Sequence, residues 1–241
     1  MSGATVSPAE VARFDALAAR WWDPNGPMKP LHRMNPARVG WIADRIARRF
    51  PAAAGVRLLD VGCGAGLAAE ALAKRGYDVL GLDAAGEAIA AAEAHAAGRQ
   101  AGGEPLALRY RSGVAEDLVA EGARFSVITA LEVIEHVPDQ AGFLRVLASL
   151  LAPDGLLFLS TLNRTRRSFL TAKLGAEYVL RWLPVGTHDW RQFVTPGEMA
   201  AMLRGAGLRV TDSAGLAPMP LRGGWRTSRD LGVNYLVAAS R

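Results

Sequence analysis

An α/β fold built on a doubly wound, mostly parallel sheet is the architecture this 241-residue sequence predicts, and three observations carry it. Apolar, strand-like runs alternate with helical patterns from residue 56 onward. The first run ends in a turn with glycine at alternate positions, Gly62, Gly64 and Gly66. The next run delivers an acid, Asp83, to the end of its strand. Such alternation implies right-handed crossovers between parallel strands. An acid ~20 residues past the start of a glycine turn marks the nucleoside-binding edge of a doubly wound sheet.

In chain order, Val11 to Trp22 and Ala37 to Phe50 read as two helices flanking a proline-rich loop. Leu58, Leu59 and Val61 form a run apolar enough for a strand buried on both faces. A helix follows from Leu67 to Arg75, then the strand Val79 to Leu82, then an alanine-rich helix from Ala84 to Ala101. Leu106 to Tyr110 and Phe125 to Ala130 are the next strands, separated by the loop Gly113 to Leu118. The helix Phe143 to Leu151 stops at Ala152-Pro153-Asp154-Gly155, a turn by composition, before the strand Leu156 to Leu159. Thr195-Pro196-Gly197-Glu198 has the cap, the first-turn proline and the reciprocal acid of a helix start. Leu208 to Ser213 and Val233 to Ala239 close the chain. With only the loop Gly215 to Gly232 between them they pair antiparallel, because a parallel crossover needs a helix. The expected sheet has seven strands with one antiparallel edge strand.

Composition narrows the class. Apolar residues make up 50% of the chain, enough for one large domain over 1–241. Cys63 is the sole cysteine, so no intrachain disulfide forms and a reducing compartment is the simplest setting. No apolar run reaches the ~18 residues of a membrane span, and the N-terminus lacks a secretory pattern. The expectation is a soluble cytoplasmic protein without a nucleic-acid partner. Net charge is +5, and it is concentrated: residues 163–191 hold six basic residues against Glu177 and Asp189. Phe169, Ala172, Ala176, Val179 and Leu183 recur there at helical spacing. The segment reads as a basic amphipathic insertion that either docks on an anionic membrane surface or packs as a helical lid.

Detail in the glycine turn selects the nucleoside. A dinucleotide turn reads G-x-G-x-x-G, whereas here the third glycine falls at 66 and leucine follows. Asp60 stands two residues before Gly62, where it would repel a pyrophosphate but suits a cationic amine and sulfonium. The pattern therefore favours S-adenosylmethionine (SAM) over NAD. Asp60 with Gly62 and Gly64 is expected at the methionine end, where a Cβ on either glycine would intrude, and Asp83 on the ribose diol. Glu116 and Asp117 are placed to meet the adenine amino group or to be solvated loop acids. Leu131 either packs on the cofactor or belongs to the core.

Glu132, Glu135 and His136 follow a strand end, and their spacing puts them on one side of any helical backbone there. Two carboxylates and an imidazole suit a divalent ion, or the imidazole suits a general base acting on a phenol. Solvated acids at a helix start are the simpler alternative. Upstream, Trp21 and Trp22 cannot both face one core from a helix, so one should cover a ligand or a membrane. With His32, Arg33 and Arg38, residues 1–50 read as a helical lid over the cofactor mouth.

Several segments together point to one family. Arg20-Trp-Trp-Asp23, Lys29-Pro-Leu-His-Arg33, Asn35-Pro36 with Arg38, Asp60-Val-Gly-Cys-Gly64, Glu132-Val-Ile-Glu-His136, Ser160-Thr-Leu-Asn-Arg164 and Gly186-Thr-His-Asp189 resemble the ubiquinone biosynthesis O-methyltransferases. The resemblance runs from about residue 10 to 240. It implies a class I SAM-dependent methyltransferase fold, Rossmann-like, and methyl transfer to ring hydroxyls of polyprenyl catechol-type intermediates. It also implies cofactor contacts at Arg38, Gly62, Asp83 and Leu131, and a divalent ion, Mg²⁺ first, at Glu132, Glu135 and His136. A polyprenyl phenol or quinol substrate, the inner face of an anionic membrane and other ubiquinone-biosynthesis enzymes are the implied partners. Gly215-Leu-Ala-Pro-Met219 departs from the family's usual asparagine-proline pair, which bears on substrate contacts in that loop. Competing readings are a methyltransferase of another small phenol or quinone, a NAD-dependent oxidoreductase disfavoured by Asp60, and a non-catalytic SAM-binding subunit.

Overall fold

The computed structural model describes residues 7–169, 190–219 and 223–241. Its centre is an eight-stranded sheet in the order β3-β2-β1-β4-β5-β8-β6-β7. Strands β1 (Arg57–Val61), β2 (Asp78–Asp83), β3 (Leu108–Ser112), β4 (Phe125–Leu131) and β5 (Leu151–Leu162) run parallel. The chain turns outward from β1 in both directions, and the switch lies between β1 and β4, where an open α/β sheet forms its binding crevice. Leu58, Leu59, Val127, Ile128, Leu157 and Phe158 are buried on these central strands, which explains their near-continuous apolar sequence. Each such side chain gains ~1.5–3 kcal/mol on burial.

The antiparallel side of the sheet is broader than the sequence suggests. As expected, β6 (Arg209–Met219) and β8 (Asn234–Ser240) pair antiparallel, and β8 also pairs antiparallel with β5. The stretch 215–232, expected as a loop, instead extends β6 and folds back as β7 (Gly224–Ser228). That hairpin supplies the eighth strand. Similarly, residues 151–155 belong to β5 rather than to a turn, with a register irregularity where β5 meets β4.

Helices cover both faces: α3 (Leu67–Ala73), α4 (Gly86–Ala101), α5 (Ala115–Ala120), α6 (Gln140–Leu150), the single turn α7 (Arg166–Ser168) and α8 (Pro196–Gly205). Thr195 caps α8 by accepting from the Glu198 N–H, and the Glu198 carboxylate accepts from the Thr195 N–H, as its sequence foretold. The N-terminal region is divided differently from its reading. Helix α1 spans Pro8–Asp15, a 3-10 turn follows at Ala18–Arg20, and α2 runs from Lys29 to Arg49. Thus α2 begins eight residues before the expected start and carries Pro36 within it. Buried Asn35, beside that proline, donates to the Leu67 carbonyl at 2.8 Å and ties α2 to the start of α3. Most of the expected insertion, residues 170–189, lies outside the described residues. Its visible ends are pinned: Arg164 pairs with Glu198, and Arg167 with Asp230 at 3.0 Å.

Candidate active site

The carboxyl ends of β1, β2 and β4 open into a cavity of about 350 Å³. Gly62, Gly64, Asp83, Leu131, Glu132 and His136 all line it, so six of the expected site residues meet in one chamber. The rest of the wall is mainly apolar and includes Phe14, Trp21, Met28, Met34, Phe143 and Trp225.

Gly62 and Gly64 have φ of +67° and +54°, a region that side chains other than glycine enter at a cost. Packing gives a second reason for their identity. A Cβ on Gly62 would stand 2.4 Å from Val133, and one on Gly64 would stand 2.1 Å from the Trp21 indole. The expectation that these glycines make room for the cofactor's methionine end is therefore amended: on the side a Cβ would occupy, protein side chains already press. Asp83, at the end of β2, accepts from the Gly64 N–H at 2.7 Å and the Ala85 N–H at 2.8 Å. It is thereby fixed at the cavity edge, while burial raises its carboxyl above the usual range.

Behind the wall is a buried charged group. Asp60 accepts from the Thr129 hydroxyl at 2.5 Å, and its other oxygen has no hydrogen-bond partner. Burial pushes its carboxyl up to about 6, against the pull of Thr129 and Arg38. Arg38 is 3% exposed and donates from Nε to Asn35 at 3.1 Å, leaving Nη1 without a partner. Such orphaned groups are uncommon in folded proteins and call for an explanation. Neither residue lines the cavity, and each charge acts on the other, so the structure brings the expected Asp60 and Arg38 close to the wall but not into it. Glu116 falls one position beyond the cavity wall, which Gly113, Val114 and Ala115 line instead.

Glu132, directly after β4, is the sole non-glycine residue among those described with positive φ, at +58°. That backbone costs of order 1–3 kcal/mol and persists only where neighbours enforce it. Here the Ser160 hydroxyl donates to its carboxylate at 2.6 Å, and the Asn234 amide donates at 3.1 and 3.2 Å. Glu132 also donates its own N–H to the Ser160 carbonyl at 3.0 Å. Glu135 is 4% exposed, and its Oε2 accepts from Thr161 at 2.9 Å. Burial and the nearby Glu132 charge push its carboxyl up to about 7.

His136 makes a different contact from either acid. Its Nδ1 lies 2.7 Å from Glu10 Oε2 on α1, and its ring meets Phe14 edge-on at 5.4 Å. Burial disfavours the imidazolium, but Glu10, Glu135 and Glu132 outweigh that penalty and raise the ring above its ordinary pKa. Among the described residues no group of three or more His, Cys, Asp or Glu side chains is placed to hold a metal ion. The expected gathering of Glu132, Glu135 and His136 as an Mg²⁺ site is thus not formed in this geometry. Sequence spacing assumed a helical backbone, whereas Glu132 adopts a left-handed turn and only Ile134–His136 form a 3-10 turn, so the three side chains diverge to Asn234, Thr161 and Glu10.

The paired tryptophans separate as expected. Trp21 is 5% exposed and lines the cavity, while Trp22 stacks on His95 of α4 with rings 3.5 Å and 3° apart. Sequence reasoning missed Glu10, Ser160, Thr161 and Asn234 as partners of the acidic loop. Their sole signal lay in being polar residues in otherwise apolar strands or at one turn of a helix.

A strand-end acid beside a positive-φ glycine turn, at the switch of a doubly wound sheet, is the arrangement of the SAM-dependent methyltransferase fold. A family model described as a methyltransferase domain matches residues 33–213. A SAM-bound magnesium protoporphyrin IX methyltransferase from Synechocystis PCC 6803 shares the fold, with a TM-score of 0.63 at 17% identity over 100% of both chains. The chain is 48% identical to a ubiquinone biosynthesis O-methyltransferase of Azorhizobium caulinodans, covering 98% of this chain and 94% of that protein. A second, from Methylobacterium nodulans, is also 48% identical, covering 100% and 97%. The chain belongs to the ubiquinone biosynthesis O-methyltransferase family.

Proposed function

We propose that this protein transfers the methyl group of SAM to a ring hydroxyl of a polyprenyl catechol-type intermediate in ubiquinone biosynthesis. The observation that carries the reading is that His136 and the Gly62–Asp83 nucleoside edge share one apolar chamber. In this reading Asp83 binds the ribose diol, while Arg38 and Asp60 act on the methionine end from behind the wall. Glu116 meets the adenine amino group from just outside the wall. SAM supplies an electrophilic methyl group on a sulfonium and departs as S-adenosylhomocysteine. His136 accepts the proton of the attacking hydroxyl, whose neutral form, titrating near 10 like tyrosine, is a weak nucleophile. Leu131, Phe14 and Phe143 exclude water, so the phenolate is not stabilised by solvent, and alignment within the chamber supplies much of the rate. Glu132 and Glu135 support the loop through Ser160, Asn234 and Thr161.

Incubation with SAM and a short-tailed catechol quinol tests this. Equimolar methyl ether and S-adenosylhomocysteine are expected. SAM binding without turnover on any phenol would leave a non-catalytic SAM-binding subunit.

We extend the same reading to an anionic membrane surface at the inner face of the membrane, where a polyprenyl tail resides. No helix among the described residues is long and apolar enough to cross a bilayer. Support comes from the basic amphipathic sequence of 163–191, each basic residue near anionic headgroups contributing ~1 kcal/mol. Arg164 and Arg167 are engaged with Glu198 and Asp230, so the informative variant reverses Arg166, Lys173 and Arg181. Sedimentation with anionic vesicles should be lost in that variant and weakened by salt. Equal binding to neutral vesicles, or none to either, would rule the membrane role out.

A further inference from the structure

We propose that Trp225 determines acceptor specificity, its indole forming the face on which the substrate's aromatic ring lies. The proposal rests on the reading of the chain as a methyltransferase acting on a ring hydroxyl. Sheet order divides the cavity into two ends. Gly62 and Gly64 follow β1, Asp83 ends β2 and Gly113 follows β3, and these three strands are consecutive in the sheet. At the other end Leu162 closes β5, Val233 and Asn234 open β8, and Trp225 lies on β7. Four strand spacings separate β2 from β8, roughly 19 Å at about 4.8 Å each. In the proposed function the ribose is on Asp83 and the methionine end lies by the turn after β1. The far end is therefore left to the acceptor.

Four aromatic residues besides His136 line the cavity, and three are committed to the protein. Phe14 meets the His136 ring edge-on, Trp21 packs where Gly64 has no side chain, and Phe143 is 4% exposed within the core. Trp225 differs. It is half-buried on the edge strand of the sheet, opposite Pro218 of β6. Alternation along β7 fixes its direction: the indole lines the cavity, while its neighbour Arg226 is exposed to solvent. Helix α2 packs against β7, and its Leu31 and Met34 line the same cavity. Proline at 218 has a fixed φ, which stiffens the hairpin where the indole is carried. Leu162 and Val233 add burial without direction, so orientation of a flat ring at this end falls to the indole. Offset stacking both attracts and orients an aromatic ring, whereas an alkyl group gains only burial from the same surface.

The test uses the full chain, a short-tailed catechol quinol and the variants Trp225→Leu, Trp225→Phe and Arg226→Ala. Leucine keeps apolar packing on β7 and removes the ring face; phenylalanine keeps a face. The readouts are the quinol Kd by calorimetry on protein saturated with S-adenosylhomocysteine, the SAM Kd, and kcat and KM for the quinol. Trp225→Leu should raise the quinol Kd and KM by about five- to tenfold, the size of one aromatic pair. Its kcat and SAM Kd should change less than about twofold, the pattern of a lost binding contact. Trp225→Phe should stay within about threefold of wild type, and Arg226→Ala should match it. Quinol binding should also quench tryptophan emission, and Trp225→Phe should lose part of that quench while still binding. An undiminished quench, a wild-type quinol Kd in Trp225→Leu, or a SAM Kd that rises as much as the quinol Kd would overturn the proposal. If the wild type forms no methyl ether with any phenol, the reading of the function falls. If it does so and Trp225→Leu binds the quinol normally, only the role of Trp225 falls.

Discussion

Gly64→Ala tests in one residue how the lid and the glycine turn depend on each other. The residue has φ of +54°, so an alanine there costs about 1–2 kcal/mol from backbone alone. The new Cβ would also stand 2.1 Å from Trp21 Cζ2, far inside contact distance, and backbone on one side cannot yield. The indole must move. Trp21 is 5% exposed, and a fully buried tryptophan removes roughly 150–250 Å² from water, which at ~25 cal/mol/Å² sets an upper bound of about 4–6 kcal/mol for expelling it. A partial tilt loses a fraction of that, so the total expected is about 2–4 kcal/mol. For a chain of this size each kcal/mol moves Tm by ~2–4 °C, giving a drop of roughly 4–16 °C. Thermal unfolding should be paired with tryptophan fluorescence, because an expelled indole shifts its emission to the red. The discriminating comparison is Gly64→Ala in a Trp21→Ala background, where only the backbone term should remain. Should Gly64→Ala cost as much without the indole as with it, the packing argument for this glycine is wrong.

Four further outcomes are expected. Asp83→Ala should weaken SAM binding by ten- to a hundredfold in calorimetry through lost charge-assisted hydrogen bonds, with no measurable NAD binding in either form. Methyl transfer should persist in excess chelator, since the acidic loop does not gather a ligand set; abolition of the rate by chelation and its rescue by Mg²⁺ would refute this. Asn234→Leu should release Glu132 from its left-handed turn and leave its carboxylate short of a donor, a loss of about 1–3 kcal/mol readable by denaturant melts. Asp60→Asn should change the pH dependence of stability. A carboxyl raised from 3.8 to about 6 binds protons more tightly in the native state, so its contribution is full below the unfolded pKa and is lost as pH rises through about 6. The variant should gain on wild type as pH rises from about 4 to 6 and hold a lead of about 2–3 kcal/mol above that, while losing SAM affinity; equal curves would mean Asp60 is not desolvated as described.

The parallel half of the sheet was legible because its central strands are buried on both faces and run largely apolar, as at Leu58-Leu59 and Val127-Ile128. The hairpin β6–β7 was not, because Gly215 to Gly232 carries turn residues throughout and its strand character depends on pairing with β8. Helix α2 was cut short by Pro36, read as a boundary, although Pro30 sits in its first turn and tertiary contacts at Asn35 hold the helix through the proline. For the site, residues defined by local geometry were found, namely Asp60, the glycines and Asp83. Those defined by a long-range partner were not: Glu10 stands 126 positions from His136, and Asn234 is 102 from Glu132. No spacing rule connects them.

That division follows from how the cavity is built. One wall comes from strand ends, whose residues are set by the sheet and therefore by sequence pattern. The other comes from α1 and the 3-10 turn, which carry no core strand and are held by four point contacts, Glu10 to His136, Asp15 to the Glu87 N–H, Trp21 on Gly64 and Trp22 on His95, and by an apolar cluster of Trp21 and Met28 with Ala65, Leu67 and Ala92. Two of those four contacts, at His136 and Gly64, fall on residues that line the cavity. The N-terminal segment therefore supplies one wall of the cavity and the strand ends the other, with Trp21 and Gly64 meeting where the two join.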